Sequence, residues 1–330
     1  MAETGTKKKI LLEFEKPLAE IYDKIAELET LAREQNLNLD KEISEMKERA
    51  AVTERKTFQS LSPSQIVQVA RHQLRPSTLD YIRLIFTDFV ELKGDRLFGD
   101  DPAIVGGLAF LAQQPVAIIG HQKGHDTREN IYRNFGMPQP EGYRKALRIM
   151  RTAEKFGFPL ITLIDTPGAF PGLGAEERGQ AEAIAHNLLE MSQLQTPILS
   201  IVTGEGGSGG ALGIAVANKV LMLAYAVYSV ISPEACGSIL WRNAAQAETA
   251  ASALKITAPD LLKLKIIDGI IPEPQGGAHN NHEAAAQNLR QEIEKFLAEY
   301  KTKATAEITA ERYDKFRQMG FFKTAVDNIY

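Results

Sequence analysis

Five glycines fall within the seven residues Gly204–Gly210 of the stretch ILSIVTGEGGSGGALGIAVA (198–217). They follow an apolar, β-branched run and precede an alanine-rich helical pattern, so the bare backbone turns from a strand into a helix. Three chemistries suit such a corner. A phosphate cradle needs G-x-x-x-x-G-K-[ST], so that a lysine reaches the terminal phosphates. No such string occurs, and DTPG (165–168) alone does not replace it. A nucleophilic serine fits better, because Gly206–Gly210 reads G-x-S-x-G between a strand and a helix. Asp268 and then His279 or His282 follow in the order a triad needs, although GGAHNNHEAAA is a polar turn where solvated histidines are the ordinary outcome. The third chemistry is an oxyanion hole. Glycines let backbone approach a ligand closely, and N–H groups at a helix start point toward negative charge. Each such donor is worth roughly 3 kcal/mol where charge develops in a dry site.

Other residues compete for a role around this corner. IDTPGAFPG places Gly168 and Ala169 at a strand end, where their N–H groups would line the same cleft; as turn formers, Pro167, Gly168, Pro171 and Gly172 are explained equally well. The loop GHDTRENIYRNFGMPQPEGY (124–143) feeds a helix bearing Arg144, Arg148, Arg151 and Lys155, whose 4, 3, 4 spacing puts four cations on one face. A solvated face is the default reading; the functional one is that Arg144 and Arg148, or the adjacent Lys145 and Arg133, attract phosphate or carboxylate groups. His121-x3-His125 has no third ligand in spacing and reads as a polar loop rather than a metal site. Trp241 and Tyr228 read as core or interface fillers.

The elements that must hold these residues are legible in the pattern. Leu18, Ile21, Ile25 and Leu28, then Leu39, Ile43, Met46 and Ala50, form two narrow stripes separated by NLNLD, an N-terminal helical hairpin. Ser62, Pro63 and Gln65 announce a capped helix, and RPSTLDYIRLIFTDFVEL (75–92) predicts another that stops near Gly94. Apolar runs at 103–112, 115–122, 160–165, 197–202 and 219–232 alternate with helical patterns at 141–156, 175–194 and 208–217, which predicts an α/β fold with strands buried on both faces. Thr257 caps a further helix, and two helical patterns close the chain over 283–320. The expected divisions are a polar tail (1–9) and hairpin to residue 60, a main domain over 61–300, and a C-terminal helical tail over 301–330. At 330 residues with 44% hydrophobic and 24% charged residues, the chain can fill one large domain, and a net charge of −4 gives no global field for nucleic acid or anionic membrane. One cysteine, Cys236, excludes an internal disulfide framework. The acid-bearing N-terminus does not read as a secretory signal, and a cytoplasmic or plastid-stromal enzyme is the expectation.

GEGGSGGALGIAVANKVLML, LIDTPGAFPGLGAEERGQAEAIA, NFGMPQPEGYRKALRIMR and VISPEACGSILWR, extended by KGDRLFGDDPAIVGGLA and KITAPDLLKLKIIDGIIPEPQGGAH, together resemble the carboxyltransferase α subunits of bacterial and plastid acetyl-CoA carboxylase. The resemblance covers about residues 14–298. It implies a crotonase-like (ClpP/crotonase) spiral of ββα units and a zinc-bearing β subunit of the same fold, usually in an α2β2 assembly with the active site between the two. It further implies transfer of carboxyl from carboxybiotin on the biotin carboxyl carrier protein to acetyl-CoA, giving malonyl-CoA for fatty acid synthesis, with ATP used by a separate biotin carboxylase and no metal in this chain. Gly206 and Gly207 match the pair whose N–H groups hold the biotin ureido oxygen, so no dedicated His or Glu base is required. The cationic row would then meet CoA phosphates or the carboxylate of carboxybiotin. His125 and Arg128 stand where the family leads one to expect arginine and lysine, and the absence of a long C-terminal extension points to a bacterial or algal form. A serine hydrolase using Ser208, which would be labelled covalently by a fluorophosphonate, and a non-catalytic scaffold of the same fold remain the alternatives.

Overall fold

The computed structural model of the chain describes residues 10–320; the tail expected at 1–9 and the last part of the C-terminal tail, 321–330, lie outside the described residues. The hairpin forms as α1 (Lys16–Gln35) and α2 (Asp40–Gln59). Leu18, Ile25, Ala50 and Phe58 are its buried residues, and Phe58 packs edge-on against Tyr225, which joins the arm to the main body. The capping box expected at Ser62 is present at the start of α3 (Pro63–Ala70). The Ser62 hydroxyl accepts from the Gln65 N–H at 3.2 Å, and the Gln65 side chain accepts from the Ser62 N–H at 2.8 Å.

The next element differs from the helix expected over 75–92. Helix α4 (Thr78–Ile85) ends early, and β1 (Thr87–Glu91) follows. Leu79, Ile82, Phe86 and Phe89 keep helical spacing in the sequence, but Val90 pairs with Leu108 and Glu91 with Gly107 on β2 (Ile104–Leu111). Long-range pairing wins over local pattern there.

β2 turns into antiparallel β3 (Gln114–His121), and from β3 the sheet runs parallel through β4 (Leu160–Thr166), β5 (Ile198–Gly207) and β6 (Lys219–Leu223). The run expected at 219–232 is thus two strands, because β7 (Val227–Ser229) leaves β6 at a turn and pairs with the last three residues of β5; β8 (Gly269–Ile271) closes the eight-stranded sheet beside β6. Ile118, Ile119, Leu160, Ile161, Leu163, Ile164, Ile198, Leu199, Ile201 and Val202 are fully buried, as near-continuous apolar strands covered on both faces must be.

Between β3 and β4 run α5 (Thr127–Tyr132) and α6 (Pro140–Phe156); between β4 and β5, α7 (Leu173–Glu177) and α8 (Gln180–Gln193). The pattern at 175–194 is therefore interrupted, by Gly179 in a left-handed conformation. The helix expected over 208–217 shrinks to α9 (Ser208–Leu212). Then come α10 (Pro233–Trp241), α11 (Ala247–Leu254), α12 (Ala258–Lys263), α13 (His282–Tyr300) and α14 (Thr305–Arg317). α14 is tied into the sheet domain by Arg312, which is fully buried and donates to the carbonyls of Met191, Leu194 and Thr196 and to the Asn218 side chain, each at 2.7 Å.

Candidate active site

β4 and β5 end side by side, and their two exits pack backbone against backbone. The pairing slips between Ile164↔Val202 and Thr166↔Gly206, so β5 carries two extra residues at this point. Gly204 lies under the Asp165 carboxylate, where a Cβ would overlap it. At Gly207 a Cβ would overlap the Pro167 carbonyl, and at Gly210 it would overlap the backbone of Gly168 and Ala169. Much of the bareness is therefore required by contact inside the chain: Gly207 and Gly210 let the β5 corner lie directly on the Pro167–Ala169 turn. Gly206 is buried and paired with both Thr166 and Tyr228, whereas Gly207, partly exposed, caps α9. Ser208 follows with φ +50°, a left-handed value uncommon for a side-chain-bearing residue. The first-turn amides of α9 have no intrahelical acceptor, and Gly206, Gly207 and Ser208 line a cavity of about 50 Å³ with Arg71, Pro167 and Tyr228's neighbour Ser229.

A charged network that the motifs did not reveal braces this corner. Lys123, just past β3, donates to Asp165 at 2.7 Å and to Glu205 at 2.8 Å. Arg71, just past α3, binds the other Glu205 oxygen at 2.6 Å and Glu234 at 2.7 Å. Burial alone would raise the Glu205 carboxyl; Lys123 and then Arg71 outweigh it and hold it below the ordinary carboxylate range. Burial likewise pulls the Lys123 ammonium down, and Asp165 and Glu205 more than reverse this. The signal available in the sequence was positional. Lys123, Asp165 and Glu205 each stand at the C-terminal end of an apolar run, and parallel strands bring those ends to one edge.

The sequence matches the family described as "Acetyl co-enzyme A carboxylase carboxyltransferase-like" over residues 11–320. The acetyl-coenzyme A carboxylase carboxyl transferase subunit alpha of Geobacter metallireducens is 57% identical over 311 residues, which cover 94% of this chain and 98% of that protein. Its counterpart from Synechococcus elongatus is 53% identical over 327 residues, covering 99% and 100%. The chain belongs to the acetyl-CoA carboxylase carboxyltransferase α-subunit family. Among solved structures, the transcarboxylase 12S core superposes with a TM-score of 0.56 at 20% identity over 68% of this chain and 41% of that one. The β subunit of Pseudomonas aeruginosa geranyl-CoA carboxylase does so with 0.54 at 16% identity over 80% and 48%. These likenesses establish the crotonase-like carboxyltransferase fold that the strand and helix alternation led one to expect.

Within this α subunit the other expected site residues have separate fates. Gly168 and Ala169 form the turn packed on the glycine corner, and no atom lies where a Gly168 Cβ would stand. Arg133 is held by Glu129 and the Pro102 carbonyl, 2.9 Å away. Lys145 is 1% exposed, with its ammonium on Asp100 and the Asp101 carbonyl, so it faces the interior rather than a ligand. Arg144 pairs with buried Asp95 and with Glu141, each at 2.9 Å. Arg148 donates to the carbonyls of Leu92, Lys93 and Gly94. Trp241 is 42% exposed and so is not a core filler, whereas Tyr228 packs over Gly206. His125, one of the two departures from the family pattern, sits 2.7 Å from the Asp80 carboxylate, which raises its imidazole pKa.

The serine-hydrolase alternative fails on geometry. The strand–turn–helix shape and the strained Ser208 are present, but no histidine lines the cavity beside Ser208. His279 stacks on His72 with ring centroids 4.0 Å apart, His282 lies 2.7 Å from the Leu74 carbonyl, and Asp268 accepts from the Val220 N–H at 2.6 Å and pairs with Lys315. His121 is fully buried, and burial lowers its pKa to about 3. Among the described residues no group of three His, Cys, Asp or Glu side chains is arranged to hold a metal ion, and no helix is long and apolar enough to cross a membrane.

Proposed function

We infer that this α subunit supplies the biotin side of the carboxyl transfer that makes malonyl-CoA, in a site completed by a β subunit. The observation that carries the reading is the corner at Gly206–Ser208: peptide groups at a helix start, exposed from Gly207 on, opening on a cavity whose one carboxylate, Glu205, is tied up by Lys123 and Arg71 rather than free to act as a base. Carboxybiotin, when bound, supplies the carboxyl group. The amides of Gly206 and Gly207 are the donors assigned to the oxygen that becomes negative as that group leaves; Pro167 lines the same cavity, and the Gly168 and Ala169 backbone that follows it packs against the glycine corner. Fixed donors need no reorganisation when the charge appears, which is why backbone serves better here than a flexible side chain.

A second chain is required on two grounds. The cavity of about 50 Å³ is far below the several hundred cubic ångströms of a complete small-molecule site. Val230, between the lining residues Ser229 and Ile231, is 76% exposed, which suits a covered surface. The proposed assembly is α2β2 with a zinc-bearing β subunit, fed by the carrier protein and biotin carboxylase in the cytoplasm or plastid stroma. The test mixes the full chain with a cognate β subunit and biotin methyl ester and follows malonyl-CoA decarboxylation. Activity is expected only with both proteins; turnover by either one alone, or none from the pair, refutes the reading.

A further inference from the structure

A second opening, of about 520 Å³, lies between α6, the turn at 94–97 and α8, and it shares no lining residue with the cavity at the glycine corner. The chain as a whole carries a net charge of −4, yet this opening is lined by Arg96, Arg144, Arg148, Arg151 and Lys155 against a single acid, Asp95. Asp95 is already committed. One oxygen accepts from the amides of Leu97, Phe98 and Gly99 at 2.9, 2.8 and 2.9 Å, and the other takes Arg144. Arg151 is matched by Glu190 at 3.0 Å.

Arg96, Arg148 and Lys155 have no carboxylate within ion-pair distance among the described residues. Arg148 and Arg96 donate only to backbone carbonyls, and Lys155 lies 5.6 Å from the centre of the Phe156 ring. Arg96 and Lys155 reach solvent, but with the half-buried Arg148 they rim one concavity lined by no uncommitted acid, and burial together with Arg96 depresses the Arg148 guanidinium.

We propose that this opening binds a small ligand through a diphosphate group, held by Arg96, Arg148 and Lys155, with its less polar part against Leu97 and Leu147. The guanidinium N–H groups that Arg96 and Arg148 do not spend on backbone carbonyls, together with an ammonium, match a multiply charged phosphate better than a single carboxylate, and the volume suits a small molecule rather than a protein surface.

The test is calorimetric titration of the full chain with inorganic pyrophosphate at constant ionic strength. Orthophosphate and sulfate serve as comparators, and CoA and ADP as competitors. Saturable binding of one pyrophosphate per chain is expected, at least about tenfold tighter than orthophosphate. Charge-assisted contacts of this kind are each worth about tenfold, so Arg96→Glu with Lys155→Glu should weaken binding by about 100-fold or more. Neither residue makes an ion pair, so the melting temperature of the double variant checks its folding, and Lys155→Ala alone should still weaken binding about tenfold. Displacement by CoA identifies the diphosphate of a CoA ester as the source, and displacement by ADP alone identifies a free nucleotide. No saturable binding, equal binding of sulfate, or unchanged affinity in the folded variants overturns the proposal.

Discussion

Replacing Gly207 with alanine is expected to lower carboxyltransferase turnover by about 100-fold and to destabilise the chain by about 1–3 kcal/mol. The backbone at Gly207, φ −91° and ψ 115°, is open to any residue, so the penalty is one of space. The added methyl would overlap the carbon and oxygen of the Pro167 carbonyl and crowd the Gly168 nitrogen, all backbone atoms that no rotamer change can move. Relief therefore requires the β4 and β5 exits to separate, and a displacement of about 1 Å in a positioned donor is enough for a 100-fold loss. Gly209→Ala is the internal control. A Cβ there meets only Ile184 methyl groups at 3.9 Å, ordinary contact, and alanine favours the helix by up to about 1 kcal/mol. Melting curves and malonyl-CoA decarboxylation with the β subunit should rank Gly209→Ala near wild type and Gly207→Ala far below. The reverse ranking would mean that the two corners do not bear on each other.

That contrast also marks what was legible from residue order. The glycine string announced a strand turning into a helix, and it does. Its composition suggested approach by a ligand, but Gly204, Gly207 and Gly210 are each demanded by a neighbour about 40 residues earlier in the chain, a contact that no local pattern encodes. The cationic row shows the same limit. Arg144 and Lys145 are adjacent, yet a helix turns about 100° per residue, so one reaches the rim of an opening and the other is sealed on Asp100. Capping at Ser62 and Pro63 was readable because it is made within four residues. The strand at Thr87–Glu91 was not, because its partner lies some twenty residues on and its own spacing mimics a helix.

The second large effect is expected at Lys123, where the strand ends are clamped. Lys123→Met leaves the Asp165 and Glu205 carboxylates facing one another with the shared cation gone and only Arg71 left on Glu205. Removing one partner from a buried ion pair typically costs 3–5 kcal/mol, so a loss of about that size is expected in urea unfolding at pH 7. Glu205→Gln in the Lys123→Met background should recover part of it, since it removes one of the two opposed charges. The pH dependence has a definite sign. The Glu205 carboxyl is lowered in the folded chain, so its contribution is full above the unfolded value of about 4.3 and is lost as pH falls through the lowered folded value. The Lys123 ammonium is raised, so its contribution is full below about 10.4 and disappears as pH rises through the raised folded value. The stability gap between wild type and Lys123→Met should therefore be level from about pH 6 to pH 9 and close in acid. If the gap is absent at pH 7, the corner is held by its glycine packing alone and the charges merely fill the space beside it. If it is present, and Lys123→Met with the β subunit also loses turnover under conditions where it remains folded, then the ends of β3, β4 and β5 are positioned electrostatically, and the donors at Gly206 and Gly207 depend on a cation that never touches the reacting group.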